Sequence, residues 1–536
     1  MNQYSTQHLD HLGIIAGTFN LLNIKEIIDE LVPSGRRNVT HGEAVKAMVL
    51  NGLGFTSRAL YLTSEFFKTK PIELIREGLS PEDLSDDTLG RTLDKLYEVG
   101  VTEIFGVIAT RVMRLLGQET LIGHLDSSTF SFSGSYKKVQ EDPQAITITR
   151  GYSKDHRPDQ VQAGLVLICE HISKLPIWME AVDGNSSDKK QLSATLKTFK
   201  RQLQGPAPLI IMDSAFYTLE NIQDHVDVGW ISRPPLTIKA VQTRLHASDQ
   251  EEWLGDDSLK YQEHRVTYAG VEQRWFTVYS ATKHDQDERG LQKKVAREAS
   301  SIEKRLKTLS SQEFDCEDDM LKAIRAFEKK LKFHRLINHK TLTKEHYETR
   351  GRPKKGAQPN RITFQLQAEF EEISSKVEEA RKGQGLYLIA TNQLDQETYP
   401  ADRVIRMYKS QGVTVERGFR FLKDPMFFAD GLFLKKPSRI MALMMVMTLC
   451  LLVYSAAEHL LRKRLAEEGE TVPNQVGKPT STPTIRRVFQ VFEGIEILTI
   501  NQGDHHQRLV LNIRPEHERL LSFMGPAVRK IYLGSD

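Results

Sequence analysis

Cysteine is scarce in this chain of 536 residues: Cys169, Cys316 and Cys450 stand far apart, and no CxxC pair occurs. That usage excludes a disulfide scaffold and a paired-thiolate zinc site, and it suits a reducing cytosol. An excess of one charge is missing as well. With 73 basic against 70 acidic residues the net charge is +3, so only local clusters can argue for nucleic acid. The opening MNQYSTQHLD lacks the basic-then-apolar pattern of a secretory signal. Among apolar runs one stands out, Ile440–Ala457, IMALMMVMTLCLLVYSAA, flanked by Lys435, Lys436, Arg439 and Arg462–Arg464. It is at the short limit for a bilayer span, rich in methionine, and carries Thr448 and Ser455. A helix buried against a central sheet is apolar all round too, so a core helix and no membrane are expected.

What is present centres on Leu121–Ser133, LIGHLDSSTFSFS, where an apolar run leads to Asp126 and period-two alternation follows. This reads as a central strand, and an acid within it is costly to bury without a partner. Pro208–Phe216, PLIIMDSAF, repeats the construction and delivers Asp213. A third acid, Glu416, opens ERGFRFLKDP, with Arg420 and Lys423 at i+4 and i+7 on one helical face. Two strand aspartates and a helix glutamate suit a divalent-metal phosphoryl-transfer site, because hard carboxylate oxygens hold magnesium through few protein ligands. His124 shares the Asp126 face by alternation, and a satisfied core histidine is its plainer reading.

HLDSSTFSFSG, IIMDSAFYT and Y…VERGFRFLKDPMFFADGL resemble the three catalytic blocks of bacterial insertion-sequence DDE transposases. The closest group is the branch of the fourth family usually split off as the 1634 type. The resemblance runs from about residue 10 to about residue 515 and implies an α/β, RNase H-like catalytic core. It implies Asp126, Asp213 and Glu416 as catalytic metal ligands, magnesium as cofactor with manganese substituting, and cleavage and joining of DNA strands. Double-stranded DNA, both transposon ends and target, is the implied partner, with a homodimer in the DNA complex. In the family's tyrosine, arginine, glutamate and lysine pattern, Tyr408, Glu416 and Lys423 fit. Gln411 stands where the arginine belongs, and the gap to Glu416 is one residue longer, so the arginine's phosphate-binding role has no owner.

In chain order, residues 1–118 read as a helical N-terminal domain, with a capping box at Thr40 and Glu43. DNA-end recognition or helical packing are its two readings. Residues 119–213 hold the first part of the catalytic core: three strands, a helix from Ser187 to Leu203, and the Asp213 strand. In the loop GYSKDHRPDQ, Lys154, His156 and Arg157 either touch a phosphate or cap the strand entrance. Residues 214–384 read as a large insertion, because the next core strand is taken to be GLYLIATN at Gly385–Asn392. The insertion begins with strands, including a hairpin turning at Ala269-Gly270, and becomes helical and charged from about Asp285 to Phe333. Trp230, Trp253 and Trp275 read as core, with a base-stacking wedge as the alternative. Arg350-Gly351-Arg352-Pro353-Lys354-Lys355 resembles an AT-hook, an extended basic segment suited to a narrow minor groove. Residues 385–470 complete the core and 471–536 form a linker and a hairpin tail.

A bacterial, cytoplasmic cut-and-paste transposase, nucleoid-associated when bound to DNA, is the reading these features favour. An RNase H-like nuclease without strand transfer, a catalytically silent DNA-binding descendant and a membrane protein using 440–457 remain its alternatives.

Overall fold

The computed structural model describes residues 3–534 except 57–58, 119–120, 133–135, 137–141, 155–156, 204–206, 248–251, 257–258, 349–354, 425–426, 428–433 and 503–504. Two compact units result: residues 1–233, 267–273 and 391–536 in the first, and 234–266 with 274–390 in the second.

The first unit opens with β1 (Gln3–His8) and six helices, α1 (Leu12–Leu21), α2 (Ile24–Leu31), α3 (His41–Leu53), α4 (Thr63–Phe67), α5 (Asp86–Val99) and α6 (Val101–Leu115). The capping box is present: Thr40 Oγ1 accepts from the Glu43 N–H, and Glu43 accepts from the Thr40 N–H. A mixed sheet follows, built from β2 (Ile122–Phe132), β3 (Val161–Glu170), β4 (Pro176–Val182), β5 (Leu209–Met212) and β6 (Gly229–Ser232), with α7 (Asp188–Gln202) preceding β5 and α8 (Leu219–Asp224) preceding β6. Its order is β4-β3-β2-β5-β6. The pairs β4–β3 and β3–β2 are antiparallel, and β2–β5 and β5–β6 are parallel.

Strand β6 differs from expectation. Gly229–Ser232, assigned from sequence to the insertion, pairs in parallel with β5 from Leu209/Gly229 to Ile211/Ile231. The sequence reads this stretch as strand-like, but a four-residue strand buried at every position has no alternation to show which sheet it joins. Trp230 within it is fully buried, which removes it as a base-stacking wedge.

The second unit contains α9 (Lys239–Ala247), β7 (Leu254–Asp256), most of β8 (Leu259–Tyr268) and β9 (Val271–Tyr279), α10 (Ala281–Ser311), α11 (Glu317–Glu328), β10 (His334–His346), β11 (Arg361–Glu372), α12 (Ser374–Arg381) and most of β12 (Leu386–Thr391). The Ala269-Gly270 turn is present with both φ positive, the geometry that matches the twist of hairpin strands. Trp275 is buried, and Trp253 packs edge-on to Tyr279, so both serve packing. The β10–β11 ribbon is an addition that the sequence did not announce. It closes a small core with Ile302, Leu306, Met320, Ile324 and Leu366.

The first unit resumes with α13 (Ala401–Lys409), α14 (Val415–Leu422) and α15 (Pro437–Glu468), then β13 (Val472–Pro473), β14 (Pro479–Thr480), α16 (Ile485–Val491), β15 (Glu496–Gln502), β16 (His505–Leu511), α17 (Pro515–Ser522) and α18 (Pro526–Leu533). By length and composition α15 could cross a membrane, yet 89% of its most apolar window is buried inside the protein. Helices α1, α3, α5, α6, α14 and α16 and strand β4 all pack on it. An all-round apolar helix needs neighbours on every side, and residues 1–118 supply most of them. They therefore share one core with the sheet, where the sequence suggested a separate domain. Arg439 on α15 clasps Asp94 on α5 through two bonds of 2.7 and 2.8 Å. The tail joins as well, since β15 pairs with both β16 and β1.

Leu443 on α15 is 1% exposed, a burial that contributes about 1.5–3 kcal/mol. Leu443→Asp would bury an unpaired charge and cost on the order of 3–5 kcal/mol or more. The expected outcome is loss of soluble protein on expression. Recovery of the wild-type chain in carbonate-resistant membranes would contradict an enclosed α15.

Candidate active site

The register of β2 and β5 brings the two strand aspartates side by side. Their last parallel pair is Leu125/Met212, and Asp126 and Asp213 are the next residue on each chain. Adjacent strands lie about 4.8 Å apart, so two half-buried carboxylates share the carboxyl end of the sheet. Asp126 Oδ1 accepts the Ser127 N–H at 2.7 Å, and Asp213 Oδ1 accepts the Ala215 N–H at 2.9 Å.

Glu416 is exposed near the start of α14, and its position depends on how closely that helix seats. Gly418 makes the approach possible, because a Cβ there would come within 3.1 Å of Leu451 on α15 and 3.8 Å of Cys169 on β3. Next to Glu416, Arg417 forms two 2.7 Å bonds with Glu458, the buried acid of α15. The turn between α13 and α14, Ser410–Val413, is pinned from beneath. His124 Nε2 and His171 Nδ1 lie 2.9 Å apart, and Ser410 Oγ is 3.4 and 3.3 Å from them. Burial pushes the His124 imidazole down to about 3 and lowers His171 too, so this pair is neutral. His124 is buried as the sequence suggested, but only its Nε2 is satisfied, and Nδ1 lacks a hydrogen-bond partner among the described residues.

Electrostatics ties the three acids together. Burial raises the Asp126 carboxyl to about 7; the Lys154 charge opposes this, and Asp213 and Glu416 add to it. Asp213 is raised too, chiefly by burial, with Asp188 contributing in the same direction. Among the described residues no three His, Cys, Asp or Glu side chains converge tightly enough to form a ready metal cluster. The donor chemistry nonetheless fits a hard divalent cation. Adjacent carboxylates held against ionisation gain from a positive charge, and magnesium takes few protein ligands and hard oxygens.

A family model described as Transposase DDE domain matches residues 117–453, well over half of the chain. The chain belongs to the DDE transposase family. Residues 4–110 match a second model, a domain of unknown function, DUF4277, which covers β1 and the helices packed on α15. No curated protein matches. Among solved structures the chain is similar to the piggyBac transposase synaptic complex with hairpin DNA, at 9% identity and a TM-score of 0.37 over 92% of this chain and 82% of that one. That likeness is too loose to bring residues into correspondence.

Other residues of this DDE transposase singled out from sequence fall in different places. Lys423 caps α14 with its ammonium 5.7 Å from the centre of the Phe130 ring on β2, on the Asp126 side of that strand by alternation. Arg420 is exposed and donates to the Gly412 carbonyl at 3.0 Å, beside buried Gln411. Tyr408 is half-buried on α13. Lys154 lies within the acid group, whereas Arg157 is exposed and paired with Asp159. His156, Arg350, Arg352 and Lys354 lie outside the described residues, and Lys355 is exposed in a turn. Asp188 was missed. An acid in the first turn of a helix ordinarily reads as compensation for the helix dipole, so its spacing carried no catalytic signal.

A carboxyl raised in the folded state gives stability that is complete below its unfolded value of 3.8 and is lost as pH rises through about 7. Asp126→Asn removes that penalty, on the order of 2–4 kcal/mol at pH 8. In chelator at pH 8 the variant is expected to melt several degrees above wild type, with the gap closing below pH 5. Equal melting temperatures at pH 8 would show that Asp126 carries no such burden.

Proposed function

We propose that this DDE transposase acts on double-stranded DNA, cutting the ends of an insertion sequence and joining them to a target. The observation that carries the reading is that Asp126 and Asp213 are the next residue on each strand after the last β2–β5 pair, coupled electrostatically to Glu416. Three carboxylates from two strands and a helix suit metal-dependent phosphoryl transfer on an RNase H-like core. Asp126 and Asp213 would hold magnesium, or manganese in its place, and Glu416 would complete the set from α14. When bound, such an ion supplies Lewis-acid chemistry, activating water and stabilising the leaving oxygen.

The remaining roles fall to side chains of the protein. Lys423 and Arg420 offer positive charge to the DNA backbone from the helix that carries Glu416. Arg420, bonded to the Gly412 carbonyl beside Gln411, would supply the guanidinium that Gln411 lacks. Tyr408 borders the same turn, and Lys355 with the basic segment before it would add phosphate contacts. The sequence motifs support a bacterial insertion-sequence enzyme of the 1634 type, active as a homodimer on DNA in the cytoplasm. The insertion, residues 214–384, would make up most of the second unit, and residues 1–118 would brace the core while contributing to end recognition.

The test is a gel assay on labelled end DNA and a target duplex with magnesium. Asp126→Asn, Asp213→Asn and Glu416→Gln should each cut at least about 100-fold more slowly while binding DNA nearly as wild type does, because affinity resides mainly in basic residues. Their effects should not add, because the three act as one unit. Cutting by all three at the wild-type rate would contradict the proposal. Cutting by the wild type without strand joining would favour a nuclease.

A further inference from the structure

Lys154 occupies an unusual position for a loop lysine. Its ammonium has three protons, and three acceptors surround it: Ser127 O at 2.7 Å, Ser127 Oγ at 2.9 Å and Asp188 Oδ2 at 3.2 Å. Ser127 follows Asp126 and gives its N–H to the Asp126 carboxylate, and its hydroxyl donates to Asp188 Oδ1 at 2.8 Å. The backbone of Lys154 is anchored separately, its N–H donating to Thr129 Oγ1 at 3.2 Å.

The loop is held against the sheet by glycines that tolerate no side chain. A Cβ on Gly184 would sit 1.9 Å from the Gln162 carbonyl, and one on Gly151 would sit 2.2 Å from the Gly184 carbonyl. Gln162 closes the arrangement, donating to the Gly184 and Tyr152 carbonyls at 2.6 and 3.1 Å. Beside the ammonium lies a cavity of about 310 Å³, lined by Tyr152, Asp188, Gln191 and Ala215 among others.

We propose that Lys154, tethered to Asp188 and Ser127, is the resident counterion of the carboxylate site, balancing Asp126 and Asp213 before a divalent cation binds and competing with that cation for them. The proposal rests on the metal-binding reading above and adds a residue that sets its affinity. Asp188 and Ser127 tether the ammonium, so it neither leaves for solvent nor closes on the aspartates. Lys154 is a positioning residue, and its signature is competition: a protein cation and a metal cation repel across the same few ångströms.

The experiment measures Mn²⁺ binding by full-length protein at fixed pH and ionic strength, together with melting in chelator. Lys154→Met should bind Mn²⁺ about tenfold more tightly than wild type, the direction set by removing a like charge. In chelator it should melt several degrees below wild type and recover on adding Mn²⁺. Lys154→Arg, which keeps the charge, should stay near wild type in both measurements. Unchanged or weaker Mn²⁺ binding by Lys154→Met would overturn the counterion. No binding by wild type, or undiminished binding by Asp126→Asn, would instead overturn the metal-binding reading beneath it.

Discussion

Two carboxylates sit where the parallel pairing of β2 and β5 ends and repel each other, and the rest of this structure is arranged around that repulsion. The strands are short of alternatives. Ile210, Ile211 and Met212 are fully buried, so the Asp213 carboxylate emerges where β5 stops and nowhere else. The Asp126 carboxyl emerges beside it, because a one-residue slip of β2 against β5 would expose apolar side chains on the wrong face. Burial alone would favour protonation of both acids. Backbone N–H groups at Ser127 and Ala215 and the ammonium of Lys154 offset part of that cost. On the proposed metal-binding reading, what they leave uncompensated would be the driving force for taking up a divalent cation.

The third acid arrives by a different route. Helix α14, the eight residues Val415–Leu422, is only about two turns long, and its own propensity would not hold it. It is fixed by α15 through the Arg417–Glu458 pair and the Gly418 contact, and by β2 and β3 through the His124–His171–Ser410 group. Glu458 receives Arg462 at 3.0 Å and the Ile485 N–H at 3.0 Å, so the buried acid that anchors α14 is itself satisfied. The apolar helix thus does more than fill the core. It is the surface on which the N-terminal helices, the sheet and the Glu416 helix are brought into one unit.

Much of this was legible in the chain because it follows from local pattern. An apolar run ending in aspartate twice, a capping box at Thr40, a hairpin at Ala269-Gly270 and an uninterrupted apolar helix each have a period or a turn chemistry of their own. What escaped notice lacks such signals. Strand β6 was strand-like in the sequence, but no local pattern showed that it pairs with β5 in the core sheet. The β10–β11 ribbon is polar on its exposed face over most of its length, so no buried alternation marks it as a strand pair. The packing of residues 1–118 onto α15 is a contact between segments more than 300 residues apart, as in the Arg439–Asp94 bond. Asp188 resembled a helix-capping acid, and only the fold reveals Lys154 beside it.

The central claim is that Asp126, Asp213 and Glu416 surround one divalent cation. Iron(II) substituted for magnesium, with ascorbate and peroxide, generates hydroxyl radicals that cut the polypeptide close to where the ion sits. The cuts should fall in three clusters, around residues 126–128, 213–215 and 412–416, and all three should vanish together in Asp126→Asn. Cuts confined to one segment, cuts elsewhere in the chain, or cuts that persist in Asp126→Asn would contradict a shared site.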